Sequence, residues 1–332
     1  MTYAAPRVLG RGGEEGGGAV GSYFACLTEA HFAEEGMAWL PSGLVYADGI
    51  VLSADGGLLA RDAAPDFGDV EDQHWLLRMG RLRAPSEMLA GPVAVAAAHL
   101  GRVYCHWLLD ELPRLLALRG AGQLAGAAVI LAHSGSEPAA VAHGRLGIAG
   151  RVREVGRKTF FSAGSLVVPS YFGRPDFPRA EGLAALRDFA EGLGRGMAGV
   201  GERIYISRAA AKRRRVVGEA VLRAALEARG FVCVRLEERS WGEQIAIFRA
   251  ARVVVAPHGA GLANLVFCAP ETQVVELFAR DYVNPCYWRL AALGGLDYCP
   301  VVAPGAGGLR QVREANGRDI EVALAAVGAA LK

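Results

Sequence analysis

The spacing of apolar positions changes along this chain and divides it into regions. From Phe24 to about residue 82, short alternating segments are broken by Asp-Gly and Gly-Gly pairs. Residues 45–49 and 51–56 have the alternation of hairpin strands, with Asp-Gly supplying the turn. From Gly91 onward, continuous apolar runs alternate with stretches of helical spacing. The runs at 93–97, 127–132 and 166–169 predict buried strands, and helical periodicity covers 106–118 and 180–193. A Pro- and Gly-broken loop spans 170–178, and the glycines of 194–201 predict a hinge.

The second half is more regular. Strands are predicted at 203–207, 231–236, 252–256, 273–278 and 296–302. Helices are predicted at 218–229, 285–293 and 320–331. Gly230 closes the first of these helices as a left-handed cap. Ser240 and Glu243 form a Ser-x-x-Glu capping box that opens another helix, running to Ala250. Strand and helix alternating at this spacing imply a parallel sheet flanked by helices.

Composition narrows the class. The 332 residues suffice for two domains, and 52% hydrophobic content supplies sizeable cores. A formal charge of +2 is no nucleic-acid signature, so any basic site has to be local. None of the six cysteines forms a Cys-x-x-Cys pair, and most lie in apolar runs, which fits buried thiols in a reducing cytoplasm. Residues 1–20 read as a Gly-rich flexible leader, neither signal peptide nor anchor. The most apolar window, 91–100, is too short to span a bilayer.

Three constellations can carry chemistry. The first is His106-Trp107-Leu108-Leu109-Asp110-Glu111-Leu112-Pro113-Arg114. At about 100° per residue, His106, Asp110 and Arg114 fall within an arc of about 80°, opposite a leucine face. Pro113 cannot donate to the carbonyl of Leu109, so the helix should kink or tighten there. The same pattern also fits an amphipathic helix with solvated charge pairs.

The second constellation is Pro257-His258-Gly259-Ala260-Gly261, running into Leu262-Ala263-Asn264 after a buried strand. Backbone N–H groups at a helix start make an anion site, and glycines would let a pyrophosphate approach. A tight turn packed with small residues is the equal alternative. The third is Ser207-Arg208 at a strand end, followed by Lys212-Arg213-Arg214-Arg215. Ser207 and Arg208 suit phosphate oxygens, and the basic run suits phosphate, an acidic membrane or plain solvent. Glu276, near a strand end, could accept ribose hydroxyls.

In their order and spacing these blocks, with Glu243-Gln244-Ile245 and Tyr287-Trp288-Arg289-Leu290, resemble glycosyltransferase family 61 over roughly residues 40–300. That family includes bacterial capsular-polysaccharide transferases and eukaryotic xylosyl- and N-acetylglucosaminyltransferases. The resemblance implies a GT-B-like α/β fold of two Rossmann-like domains with an interdomain cleft. An acceptor-side domain would cover 21–195 and a nucleotide-sugar-binding domain 200–305, with a tail and helix over 306–332.

It also implies an inverting, metal-independent transfer from a nucleotide sugar, typically UDP-linked, with no cofactor. The acceptor would be a glycan or a lipid-linked glycan. Apart from the resemblance, with no signal or anchor read from the sequence, donor supply points to the cytosol, and Lys212 to Arg215 would lie near anionic lipids at the inner membrane face. Asp110 matches the family's acid and is the expected base, with His106 as the alternative base or as the group orienting it. Glu111 and Arg114 fall on the acceptor side. Ser207, Arg208, Lys212, His258, Gly259, Ala260, Gly261, Asn264 and Glu276 fall on the donor side. The chain departs from the family in two places. Arg102 and Val103 stand where an Asn is common, and Glu271 follows Ala269-Pro270 where Gly is usual. Two rival readings share these residues: a non-catalytic nucleotide-sugar or glycan-binding protein, and a transferase of sulfate or phosphate.

Overall fold

The computed structural model describes Phe24 and residues 36–53, 84–156, 158–171, 173–174, 177–280, 282–303 and 317–331. The chain divides into two compact units. One runs from Phe32 to Phe189, and the other joins Met1–His31 to Ala190–Lys332.

The N-terminal unit begins with β1 (Met37–Leu40), β2 (Gly43–Val45), β3 (Val51–Ser53), β4 (Glu87–Leu89) and β5 (Val93–Val95). A compound helix follows. It comprises α1 (Tyr104–His106), a π-helical turn (Trp107–Glu111) and α2 (Leu112–Gly120). Next come β6 (Ala128–Leu131), α3 (Glu137–Arg145), β7 (Val152–Glu154), β8 (Phe161–Ala163) and β9 (Leu166–Pro169). A short hairpin, β10 (Gly173–Arg174) with β11 (Phe177–Pro178), and α4 (Ala180–Phe189) complete the unit.

Its main sheet has the order β1-β9-β5-β6-β7, in which β9, β5, β6 and β7 are parallel and β1 is an antiparallel edge. A second sheet, β3-β2-β8-β4, carries the hairpin read from Asp48-Gly49. This second sheet departs from the expected Rossmann-like domain. Asp55-Gly56 lies outside the described residues. Val45, Val51, Val93, Val95, Ile130, Phe161 and Val168 are all buried in one core.

Pro113 acts otherwise than expected. The Leu112 N–H reaches back five residues to the Trp107 carbonyl, so the helix widens into a π turn where a kink or a tightening was expected. Proline removes one α-helical donor, and the extra residue absorbs the gap.

The C-terminal unit contains β12 (Arg203–Ile206), α5 (Glu219–Glu227), β13 (Val232–Val234), α6 (Trp241–Ala250) and β14 (Val253–Pro257). It continues with a 3-10 helix (Ala260–Phe267), β15 (Gln273–Phe278), α7 (Cys286–Gly294), β16 (Asp297–Val302) and α8 (Leu324–Ala330). The predicted capping box is present at Ser240 and Glu243.

All five strands are parallel, in the order β13-β12-β14-β15-β16. The winding therefore reverses at β12, which has the second strand on one side and the third on the other. Strand alternation sends Val253, Val255, Val275 and Leu277 into a core shared with Leu222 and Leu226 of α5 and Val327 of α8. The tail thus contributes to this core.

Phe24, expected in the first domain, is fully buried here, edge-on to Trp288 at 5.2 Å. In the expected hinge, two glycines lie close against α6. A Cβ on Gly194 would lie 2.4 Å from the Gly242 carbonyl, and one on Gly199 would lie 2.6 Å from Ala250. Glu271 occupies the left-handed region at φ 68°, inside a turn closed by Thr272 N–H to Ala269 C=O. With Pro270 before it, this is a type II turn, which accounts for the family's glycine at that position. Among the described residues no helix is long and apolar enough to cross a membrane. None of Cys105, Cys233, Cys268, Cys286 and Cys299 is in a disulfide.

Candidate functional site

In the C-terminal unit a pocket of about 280 Å³ opens at the carboxyl ends of β12, β13 and β14. The crevice beside a winding reversal is where open α/β sheets bind ligands, because the flanking loops there diverge to opposite faces. Ser207, Arg208, Leu236, Glu237, Gly259 and Gly261 are among its walls.

Arg208 is held from several directions. Its N–H donates to Glu219 Oε1 at 3.2 Å, and the same oxygen accepts from Tyr205 Oη at 2.8 Å. Its side chain donates from Nε to the Arg214 carbonyl (3.3 Å) and from Nη2 to the Arg213 carbonyl (3.0 Å). The basic run thus serves Arg208 through its backbone, helped by Arg214 at a positive φ of 56°. Nη1 is left over the 257–261 turn, where a Cβ on Gly259 would come within 2.1 Å of it. Burial, then the neighbouring Arg214 charge, pulls the guanidinium pKa below its usual value. Ser207 is buried, and its Oγ accepts from the Ala209 N–H at 3.2 Å, fixing the start of the loop.

Several expected donor-side residues have other roles. His258 points into the protein. Its Nδ1 lies 2.5 Å from Glu276 Oε1, and its ring stacks on Phe278 at 5.2 Å. Glu276 is fully buried, and its second oxygen accepts from the Tyr298 hydroxyl. With both oxygens taken inside the sheet, Glu276 cannot meet ribose hydroxyls, which corrects the expectation for it. Asn264, also fully buried, donates to Gln244 Oε1 at 3.0 Å and to the Gly261 carbonyl at 3.1 Å, bracing the turn. Gly261 makes room for Leu236, whose Cδ1 would lie 2.6 Å from a Cβ there. Lys212 is exposed and does not line the pocket, nor do His258, Ala260 and Asn264. Arg215 pairs with Asp319 at 3.1 Å, and Arg214 lies over the Tyr282 ring.

The N-terminal unit holds the first constellation. His106 Nδ1 lies 2.8 Å from Asp110 Oδ2, one turn along the compound helix. Both side chains are partly exposed, at 19% and 12%. The remaining Asp110 oxygen makes no hydrogen bond to any described residue, so a carboxylate oriented by an imidazole is available as a proton acceptor.

Glu111 and Arg114, expected to face an acceptor, are fully buried. Glu111 Oε2 accepts the N–H groups of Ala98 (3.3 Å) and Ala132 (2.8 Å), at the ends of β5 and β6. Burial raises its pKa to about 8 against the lowering effect of those N–H groups and Arg114. Arg114 donates to the carbonyls of Ala97 (2.6 Å) and Pro169 (2.9 Å) and lies 4.5 Å over the Tyr171 ring. It ties β5 to β9, and together these two residues position the helix that carries His106 and Asp110. The sequence reading missed Leu236 and Glu237 as pocket walls. Their place directly after the second strand of a βαβ unit was the available signal.

Among the described residues no three His, Cys, Asp or Glu side chains converge as metal ligands. A family model described as Glycosyltransferase 61 matches residues 104–275, just over half of the chain. The chain is also similar to the beta-1,2-xylosyltransferase RCN11 of Oryza sativa subsp. japonica, with 35% identity over 63 residues. Over 70 residues it is 41% identical to the protein O-linked-mannose beta-1,4-N-acetylglucosaminyltransferase 2 of Tetraodon nigroviridis. A beta-1,2-xylosyltransferase of Arabidopsis thaliana is 30% identical over 63 residues. Each match covers about a fifth of this chain (19%, 20% and 19%) and 12% of the relative's own length.

Proposed function

Because the chain belongs to glycosyltransferase family 61, we propose that it moves a sugar from a nucleotide-sugar donor to a glycan or lipid-linked acceptor, with inversion. The observation that carries this reading is the pocket at the winding reversal, where Arg208 Nη1 lies over the Gly259 turn. A guanidinium and backbone N–H groups at strand ends suit a diphosphate. The names of the relatives make xylose and N-acetylglucosamine the first sugars to try, as UDP derivatives.

In this reading Asp110 takes the proton of the acceptor hydroxyl while His106 holds the carboxylate in place. The acceptor oxygen bonds to the anomeric carbon, the bond from that carbon to the diphosphate breaks, and the diphosphate leaves with the electron pair. Arg208 stabilises the charge that develops on it. The buried Glu111 and Arg114 act on acceptor geometry only through the helix they anchor. A GT-B-like arrangement, a role in cell-surface polysaccharide synthesis and a cytoplasmic site with peripheral membrane contact belong to the same proposal.

The test is a panel of labelled nucleotide sugars with calorimetric binding of UDP, GDP, ADP and CMP. Binding with transfer or slow donor hydrolysis supports the reading, and binding without either favours a non-catalytic binder. No binding of any nucleotide removes it. Activity should survive EDTA, since side-chain and backbone charge would serve in place of an ion. An absolute need for added Mn²⁺ or Mg²⁺ would contradict that part.

A further inference from the structure

We propose that Glu237 is the group that receives the ribose hydroxyls of the donor nucleotide, which rests on reading the pocket as a nucleoside diphosphate site. Three acids follow β13, and the structure accounts for two of them. Glu238 pairs with Arg235 at 3.1 Å. Glu243 accepts from the Ser240 N–H at 2.9 Å and from Arg239 at 3.3 Å. Glu237 alone of the three lines the pocket, and it makes no hydrogen bond to any described residue. Its charge is nonetheless felt by Arg208, so the two share one environment.

The sheet order fixes how these groups are spread. Glu237 follows β13, Ser207 and Arg208 follow β12, and Gly259 follows β14, in three adjacent strands. Two strand spacings separate the outer loops by about 10 Å. One end of that row offers Arg208 and the glycine turn, which attract phosphate. The other end offers a carboxylate, which repels phosphate and accepts hydrogen bonds from neutral hydroxyls. A ligand that is anionic at one end and carries paired hydroxyls beyond it satisfies both, and a nucleoside diphosphate has that form. An acid at the end of the second strand of a βαβ unit is also where ribose hydroxyls are met in dinucleotide folds. Glu276 cannot serve, since His258 and Tyr298 occupy its two oxygens.

The test is calorimetry on wild type and Glu237→Ala. Each is titrated with the tightest-binding of UDP, GDP and ADP, with its 2′,3′-dideoxy analogue, and with inorganic pyrophosphate. Melting curves check that the variant is folded, which an exposed position in the one-turn 3-10 helix Leu236–Glu238 favours. Wild type should bind the dideoxy analogue about tenfold to a hundredfold more weakly than the parent. Glu237→Ala should bind parent and analogue alike, both near the wild-type affinity for the analogue, with pyrophosphate unaffected or slightly tighter. Equal binding of parent and analogue by wild type overturns the assignment, as does an unchanged ratio in Glu237→Ala. If wild type binds no nucleoside diphosphate at all, the pocket reading falls and the assignment falls with it. That outcome is distinct from a bound nucleotide whose hydroxyls do not matter.

Discussion

The Arg208 guanidinium packs so closely over Gly259 that a Cβ on the glycine would stand 2.1 Å from Nη1. Gly259 has φ 174°, an extended conformation open to any residue, so its constraint is space alone. Gly259→Ala should therefore displace the guanidinium tip while leaving the fold intact. Nucleoside diphosphate affinity should drop toward that of Arg208→Ala, about tenfold or more, with little change in melting temperature. Gly261→Ala should fail differently, because its Cβ meets the packed Leu236 side chain at 2.6 Å. Overpacking there should cost about 1–3 kcal/mol of stability. Calorimetry paired with denaturant melts of both variants separates the two effects, and equal stability losses would refute the distinction.

Glu111 makes stability depend on pH with an unusual sign. Its folded pKa is raised by burial from 4.5 to about 8. Between those values the folded chain keeps a proton that the unfolded chain releases. Stability should therefore fall as pH rises through this window, by about 5 kcal/mol at most from this group, and level off above it. The orphan oxygen Oε1 is the place for the proton, since Oε2 already accepts two N–H groups. Glu111→Gln should flatten that slope in urea melts from pH 5 to 8.5. An unchanged slope would show that Glu111 is ionised throughout.

Glu271 carries local strain. A non-glycine residue in the left-handed region costs about 1–2 kcal/mol, and glycine's greater freedom in the unfolded chain offsets part of its relief. Glu271→Gly should stabilise the protein by up to about 1 kcal/mol, read as a higher midpoint in urea. A destabilised variant would mean that the Glu271 side chain supports the turn.

Much of the C-terminal unit was legible because both faces of its sheet are covered. Runs such as Val253-Val254-Val255 are then continuous, and they end where the turn glycines begin. The Ser240–Glu243 box was legible because both partners lie within one helical turn. The fate of Glu276 was not, because its partners lie 18 residues before and 22 after it and meet it only across the sheet. Burial of Glu111 and Arg114 was hidden for a similar reason. Their helix crosses strand ends whose N–H and C=O groups they satisfy, and periodicity alone treats such charges as solvated. The π turn follows from Pro113, but the sequence does not say whether a helix widens or tightens at a proline. Glu237 was passed over because a charged residue after a strand looks like any other loop charge until its neighbours are seen to be paired.

The measurement closest to the central claim is the rate of sugar transfer, or of donor hydrolysis, by Asp110→Asn beside wild type, with donor affinity recorded on the same samples. Asparagine keeps the shape of the side chain beside His106 and removes the proton acceptor. If Asp110 is the base of a glycosyltransferase, turnover should fall by about 10²–10⁴-fold while donor binding stays near wild type. Near-wild-type turnover in a folded Asp110→Asn protein would contradict that assignment and move the role of base to His106.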